Sequence, residues 1–267
     1  MGRRLIGGWA LLVYAFLYAP ILIVVIYAFN GGRQVLNWEG FSTKWFGEAL
    51  ADPTITEPLR NSLVIGVANA LIACVLGTAL ALALPRMRPW VRTPVDGLVY
   101  MTLVTPEIVF GISALIFFVQ LGVPLGLKTI LIAHVVFNAS VVALIVRARV
   151  VGMGQSLEEA SYDLGAGPIG TFRQVTLPRL APAILAGGLL AFTFSFDDFI
   201  TSFFVSGAGA TTLPLRIFSS LRFGVSPIVN ATAVMILVLT LAAIVIAYLV
   251  LRRTAQSRRE GAGIPGV

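Results

Sequence analysis

Residues 157–178 read LEEASYDLGAGPIGTFRQVTLP, a polar segment that lies between two long apolar runs. Its first half predicts a short amphipathic helix, because small and apolar residues recur on one face at helical spacing. That face comprises Leu157, Ala160, Ser161 and Leu164. Ser156 can cap the helix with Glu159 three residues later, as in a capping box, and Gly165 suits the positive φ of a helix stop. Such a segment is suited to docking by another protein; an ordinary solvated loop is the alternative.

The same segment carries a spaced motif. Glu159-Ala160-Ser161, Gly165 and Val175-Thr176-Leu177-Pro178 stand three and nine residues apart. This resembles the EAA loop of ABC-importer permeases, whose pattern is Glu-Ala-Ala, three residues, Gly, nine residues, Ile, one residue, Leu-Pro. Ser161 and Val175 depart from that pattern. In that family the loop is a coupling helix that docks into a cytoplasmic ATPase subunit. The resemblance therefore implies an ATPase-coupling role for Glu159, Ala160, Ser161, Asp163, Gly165, Leu177 and Pro178.

The composition indicates an all-α integral membrane protein. Hydrophobic residues make up 58% of the 267 residues and charged residues 12%, with a mean hydropathy of +0.93. The length leaves room for about six spans of roughly 20 residues. The predicted transmembrane spans are residues 9–29, 62–84, 95–121, 129–146, 183–205 and 228–251. Pro178 and Pro182 are expected to delay the fifth of them. The first apolar run is too long for a signal-peptide core and predicts a retained anchor.

The basic residues predict the topology. With the N-terminus in the cytoplasm, thirteen of the 19 Lys and Arg residues fall on inner segments and six on outer ones. By the positive-inside rule both termini are cytoplasmic, so the net charge of +7 requires no nucleic-acid partner. Residues 1–251 are interpreted as one permease domain that contains the cytoplasmic coupling loop 150–178. Residues 252–267 are expected to be a disordered cytoplasmic tail.

Two adjacent acids stand within the fifth predicted span. Asp197 and Asp198 follow Phe196 and precede Phe199, and an ionised acid at that depth costs several kcal/mol unless it is paired or hydrated. Adjacent helical residues point about 100° apart, so one acid can meet a substrate ammonium while the other caps broken backbone or meets another cation. The functional interpretation is a transient site for a cationic substrate, with cation–π support from the phenylalanines and a further carboxylate from Glu107.

The structural interpretation of these acids is also open. It is an ion pair with an arginine such as Arg216 or Arg222, or a helix break near the outer surface. His134 is the only histidine, and we expect it to be hydrogen-bonded inside the helix bundle. With Cys74 as the only cysteine, no metal site and no disulfide within the chain are predicted.

No catalytic motif competes with these features. A phosphate-binding loop needs Gly-Lys-Ser/Thr, but the only lysines are Lys44, after Thr43, and Lys128, after Leu127. The chain therefore has no route to ATP hydrolysis of that kind, and we expect it to be no enzyme and to hold no cofactor.

Further stretches sharpen the resemblance. FSFDDFITSFFVSG at residues 194–207, TTLPLRIFSSLRFGVSPIVNA at 211–231 and NWEGFSTKWF at 37–46 resemble the C-type permeases of spermidine/putrescine importers. The resemblance implies a MetI-like type I importer permease fold in the bacterial inner membrane. It also implies a second homologous permease, an ATPase pair that holds ATP and Mg, a periplasmic binding protein and a polyamine substrate. Another cargo (an amino-acid derivative, an aminophosphonate or ferric iron) or a non-transporting scaffold is the alternative.

Overall fold

A computed structural model describes residues 2–34, 37–154, 156–221, 226–242 and 245 of the chain. Within these residues the structure is helical, with one isolated β-bridge between Asn30 and Phe41 and no strand. The helices are α1 (Gly2–Ala28), α2 (Lys44–Ala51), α3 (Pro53–Ala83), α4 (Pro89–Val104), α5 (Glu107–Gln120), α6 (Leu127–Val151), α7 (Ser156–Asp163), α8 (Pro168–Thr171), α9 (Leu177–Asp197), α10 (Ile200–Val205), α11 (Leu213–Leu221) and α12 (Pro227–Ala242). The all-α prediction is confirmed.

The chain forms two compact units, which are residues 2–59 with 215–242 and residues 60–214. In the first unit, Asn30 organises the turn after α1. Its side-chain Oδ1 accepts the backbone N–H groups of Gly32 and Glu39 at 3.2 and 2.8 Å, and its backbone oxygen accepts the indole N–H of Trp45 at 2.8 Å. These bonds connect the end of α1 to the start of α2.

The second unit packs around α6. Val142 of this helix is fully buried and lies against Gly77 of α3 and Gly187 of α9. A Cβ atom on Gly77 would stand 2.7 Å from the Val142 Cβ atom, so α3 and α6 approach more closely than a larger residue permits. Small residues allow such close packing of helices in a membrane, where apolar burial contributes little to helix association.

The third predicted span, 95–121, is not one straight helix. It divides into α4 and α5, which meet at a bend of 113°. Thr105 and Pro106 have extended backbone, with ψ of 127° and 134°. Proline lacks the N–H group that would continue the helical hydrogen bonds, and it disfavours the helical conformation of the residue before it. Among the described residues, four helices are long and apolar enough to cross a membrane, and counting the bent pair as one span gives a fifth.

The prediction for the fifth span was wrong at both ends. A helical run extends from Pro168 to Asp197, because Pro178 lies in the first turn of α9, where its missing N–H group costs little, and the helix continues through Pro182. A π-helical turn, Phe172–Thr176, joins α8 to α9. The run ends at Asp197 instead of 205, since Asp198 is extended with ψ of 122°. Of the sixth span, residues 228–242 are helical as predicted; the remainder, Arg222 and the tail 252–267 lie outside the described residues, apart from residue 245.

Candidate functional site

Two helix breaks of the second unit, at Thr105–Pro106 and at Asp198, border one cavity of about 690 Å³. Glu107 is the first residue of α5, directly after the break at Pro106, and Asp197 is the last residue of α9, directly before the break at Asp198. All three acids line the cavity, and the Glu107 and Asp197 residues are exposed. The structure therefore brings together the three carboxyl groups that the sequence marked as candidates.

Asp198 differs from the other two acids because the protein itself satisfies its carboxylate. Its side chain is only 7% exposed. Oδ2 accepts the backbone N–H of Ser202 at 2.7 Å, Oδ1 accepts that of Thr201 at 3.3 Å, and the His134 Nε2 atom stands 3.0 Å from Oδ2. Asp198 thus caps the start of α10 and ties it to α6. Its side-chain partner is the histidine His134, whereas an arginine such as Arg216 or Arg222 was named from the sequence.

His134 is buried, as expected, and bonded on both ring nitrogens. Its side chain is 3% exposed, and its Nδ1 atom lies 2.7 Å from the hydroxyl of Ser195. The Ser202 hydroxyl lies 3.3 Å from Nε2. With Asp198 ionised, Nε2 carries the proton that it donates to the carboxylate, and Nδ1 accepts from Ser195 in the neutral ring. The sequence reasoning missed Ser195 and Ser202, although both fall inside the quoted stretch 194–207.

Within the part of the chain that the structure describes, no basic side chain neutralises the two exposed acids. Among the described residues, neither Glu107 nor Asp197 forms an ion pair. Asp96 in α4 shows the contrast, because it pairs with Arg147 of α6 and lies 3.5 Å from Arg92 one turn earlier. The described residues also hold no group of three or more His, Cys, Asp or Glu side chains arranged for a metal ion.

Four aromatic rings form part of the cavity wall. Phe137 contacts Phe110 and Phe194 edge to face, with ring centroids 6.2 and 6.3 Å apart, and all three line the cavity together with Phe199. Phe196, which the sequence also marked, is 5% exposed, stacks on Phe192 with ring centroids 5.6 Å apart, and is not one of the residues that line the cavity. An organic cation fits this combination, since carboxylates attract its charge and aromatic faces attract it further.

The coupling segment forms a compact, exposed structure of its own. Gly165 has φ of +84°, so the predicted helix stop is confirmed, and α7 begins at Ser156 with no buried residue. The Ser161 hydroxyl lies 3.0 Å from that of Thr171, and the Thr176 hydroxyl donates to Glu158 at 2.6 Å. These bonds hold α7 against α8 and the π-helical turn. Glu158 is half-buried, whereas Glu159, Ala160 and Asp163 are exposed.

The remaining coupling candidates lie at the junction with α9. Leu177 is 37% exposed and begins the helix, and Pro178 follows it. The bond between Glu158 and Thr176 was not anticipated, although both residues lie in or beside the EAA-like pattern. Internal hydrogen bonds hold this segment together, and one of its faces is exposed. A partner that binds this face can therefore move the segment as one body.

The sequence matches a known family and several of its members. A family model described as "Binding-protein-dependent transport system inner membrane component" matches residues 73–256. The chain is 38% identical over 252 residues to the spermidine/putrescine transport system permease protein PotC of Escherichia coli strain K12, covering 94% of this chain and 96% of that protein. It is 43% identical over 236 residues to the putrescine transport system permease protein PotI of the same strain, covering 85% and 83%.

Solved transporters share the fold. A bacterial ABC transporter involved in the import of the acidic polysaccharide alginate has a chain that superposes with a TM-score of 0.73 at 15% identity, covering 94% of this chain and 96% of that one. The inward-facing MetNI methionine ABC transporter gives a TM-score of 0.64 at 19% identity, with coverage of 74% and 95%. The predicted importer-permease fold is confirmed.

Proposed function

Because this chain belongs to the family of binding-protein-dependent transport system inner membrane components, we propose that it forms half of the translocation pore of an ATP-driven importer of polyamines. It is a multi-pass membrane protein of the transport-permease class. Its task is to provide a path for the cargo, and the chemical work of ATP hydrolysis belongs to a separate subunit that holds ATP and Mg.

The observation that carries the proposal is the pair of exposed carboxylates in the cavity. Glu107 and Asp197 lie at two helix breaks and have no basic partner among the described residues. Charged groups inside a membrane are costly and line substrate pathways in transport proteins, and broken helices place such groups at binding sites. A polyamine supplies the ammonium groups that would pair with these acids, and Phe194 and Phe199 would cover its methylene chain.

The exposed face of α7 supports the proposed coupling to an ATPase. Glu159, Ala160 and Asp163 point outward from a segment that internal hydrogen bonds stiffen. We place this segment and both termini in the cytoplasm, with a second homologous permease beside the chain and a periplasmic binding protein on the outer side. Closure of the ATPase pair would move residues 157–170 and rock the cavity between outward and inward access, which requires docking contacts that differ between the two states.

A competition experiment tests the proposed cargo. Cells without other polyamine uptake, carrying this chain with its partner subunits, are supplied with labelled putrescine or spermidine and an excess of an unlabelled competitor. We expect saturable uptake that other polyamines suppress and that amino-acid derivatives, aminophosphonates and ferric iron leave unchanged. Absence of polyamine uptake from an assembled, ATP-hydrolysing complex would reject the cargo. Failure of any ATPase to co-purify would favour a scaffold role.

A further inference from the structure

One buried histidine joins the two sides of the helix break beside the cavity, and the transport proposal leaves it without a role. His134 lies on α6, whereas its three side-chain partners lie on either side of the break between α9 and α10. Ser195 precedes the break at 2.7 Å from Nδ1, and Asp198 forms it at 3.0 Å from Nε2. Ser202 follows the break at 3.3 Å from Nε2.

Two asparagine side chains connect the backbone at His134 to the neighbouring helices. The Asn138 side-chain amide donates to the His134 backbone oxygen at 3.0 Å. The same amide nitrogen, Nδ2, lies 3.4 Å from the Oδ1 atom of Asn69 in α3. Asn69 in turn donates to the backbone oxygen of Ala191 in α9 at 2.9 Å. The backbone at His134 is therefore held by a polar network that runs through α3, α6 and α9, and the ring is held by the bonds of its nitrogens to Ser195 and Asp198.

The charged groups around the ring are all acidic. Asp198 is bonded to it, Glu107 approaches the Asp198 carboxyl group closely enough to interact with it, and Asp197 is the neighbouring residue in the chain. Among the described residues no Lys or Arg lines this cavity. Without the imidazole donor, the Asp198 carboxylate would keep only its bonds to the backbone N–H groups of Thr201 and Ser202, and the neighbouring Asp197 would lose its fixed direction.

We propose that His134 is a positioning residue for transport: its Nε2–H group holds Asp198 as the cap of α10, and this orients Asp197 into the cavity. The inference rests on the proposed function, since it assigns the roles of the acids at the same site. Asp197 and Glu107 then contact the substrate ammonium, whereas Asp198 and His134 stay bound to each other. The cavity then presents the carboxyl groups of Asp197 and Glu107 to the cargo in defined positions.

Two amide substitutions separate this role from general packing. In His134→Gln the amide nitrogen takes the place of Nε2 and keeps the bond to Asp198, whereas in His134→Asn it takes the place of Nδ1 and loses that bond. We expect His134→Gln to keep the KM for uptake near that of the native chain. We expect His134→Asn to raise KM by about tenfold, in complexes that still assemble and hydrolyse ATP, because Asp197 is then no longer held toward the cavity and its bond to the substrate ammonium is lost.

A double-mutant cycle and a cargo-independent probe complete the test. In an Asp198→Asn background, His134→Asn should change KM no further, because the bond it removes is already weakened. The probe is a cysteine introduced by Asp197→Cys in a Cys74→Ser background. It should react with a cationic thiol reagent at the same rate whether His134 is retained or replaced through H134Q, and more slowly when H134N is present.

These readouts keep the two proposals distinguishable. If the cargo is not a polyamine, uptake is absent in every variant including the native chain, yet the order of thiol labelling persists. Equal effects of H134Q and H134N, additivity in the cycle, or failure of H134Q to assemble would each overturn the role of His134, whatever the cargo is.

Discussion

Two acids one residue apart serve different purposes because one lies before the helix break and the other forms it. The carboxylate oxygens of Asp198 are hydrogen-bonded to two backbone N–H groups and to an imidazole. Asp197 has no ion-pair partner among the described residues. Glu107 lies in the first turn of α5, where the partial positive charge at the start of a helix stabilises a carboxylate. The residues that define the site are therefore Glu107 and Asp197, whose carboxyl groups form no ion pair among the described residues.

Neutralising the exposed acids tests this division. Asp197→Asn and Glu107→Gln should each raise the KM for polyamine uptake by about tenfold to a hundredfold, because each removes a charged partner of the ammonium. Asp197→Glu keeps the charge and should cost less. Glu57→Gln removes an exposed carboxylate elsewhere in the chain and should leave uptake unchanged. Initial rates of labelled uptake over a range of concentrations measure these effects, and unchanged KM in both neutral variants would contradict the assignment.

The helices owe their arrangement to small residues as much as to apolar ones. Val142 fits between Gly77 and Gly187, and this packing sets α6 against α3 and α9 and places His134 at the cavity. At this scale the helix breaks matter equally, because Pro106 and Asp198 turn the chain where the acids stand.

A methyl group at Gly77 should therefore destabilise the protein. Gly77→Ala brings a Cβ atom to 2.7 Å from the Val142 Cβ atom, and overpacking of this kind costs about 1–3 kcal/mol. Gly97→Ala, in α4, meets nothing within 4 Å and should be neutral or slightly stabilising. Thermal unfolding of the solubilised complex compares the two, and equal melting temperatures would show that the helices do not need this close approach.

The coupling segment makes a prediction of its own. Glu159→Lys should abolish ATPase association or coupling while the chain still inserts, because the exposed acid lies on the face left open for docking. Glu48→Lys makes the same charge change on the exposed surface of α2 and should have no effect. Co-purification of the ATPase and the rate of uptake are the measurements, and a fully coupled Glu159→Lys complex would argue against docking at this face.

Elements that depend on local chemistry could be predicted from the sequence, whereas elements that depend on tertiary contacts could not. The stop at Gly165 followed from local chemistry, because a positive φ favours glycine. A helix break at the two acids was one of the interpretations that the sequence left open, but the bond between Asp198 and His134, which is 64 residues away in sequence, could not be read from local chemistry. The three acids could be named because charge in an apolar span is costly. Which of them is hydrogen-bonded by the protein and which is left exposed in the cavity depends on tertiary contacts. The Pro106 break was readable in principle, but the apolar run around it favoured one long span.

The whole molecule is proposed to transmit work from a cytoplasmic segment to a cavity inside the membrane. This requires α7 and both termini on the same side. In a Cys74→Ser background, Tyr162→Cys should react with a membrane-impermeant thiol reagent only in inside-out vesicles, because Tyr162 is 47% exposed on α7. Glu48→Cys should react only from the opposite side. Labelling of both cysteines from one side would invalidate the topology.

The most direct test of the central claim is ATP-driven accumulation of labelled putrescine or spermidine in proteoliposomes that contain the purified complete complex and its loaded binding protein. We predict accumulation only when ATP reaches the side on which Tyr162 is exposed. We also predict that a Glu107→Gln, Asp197→Asn double variant hydrolyses ATP but accumulates almost no polyamine. Accumulation by the double variant at the native rate would contradict the account.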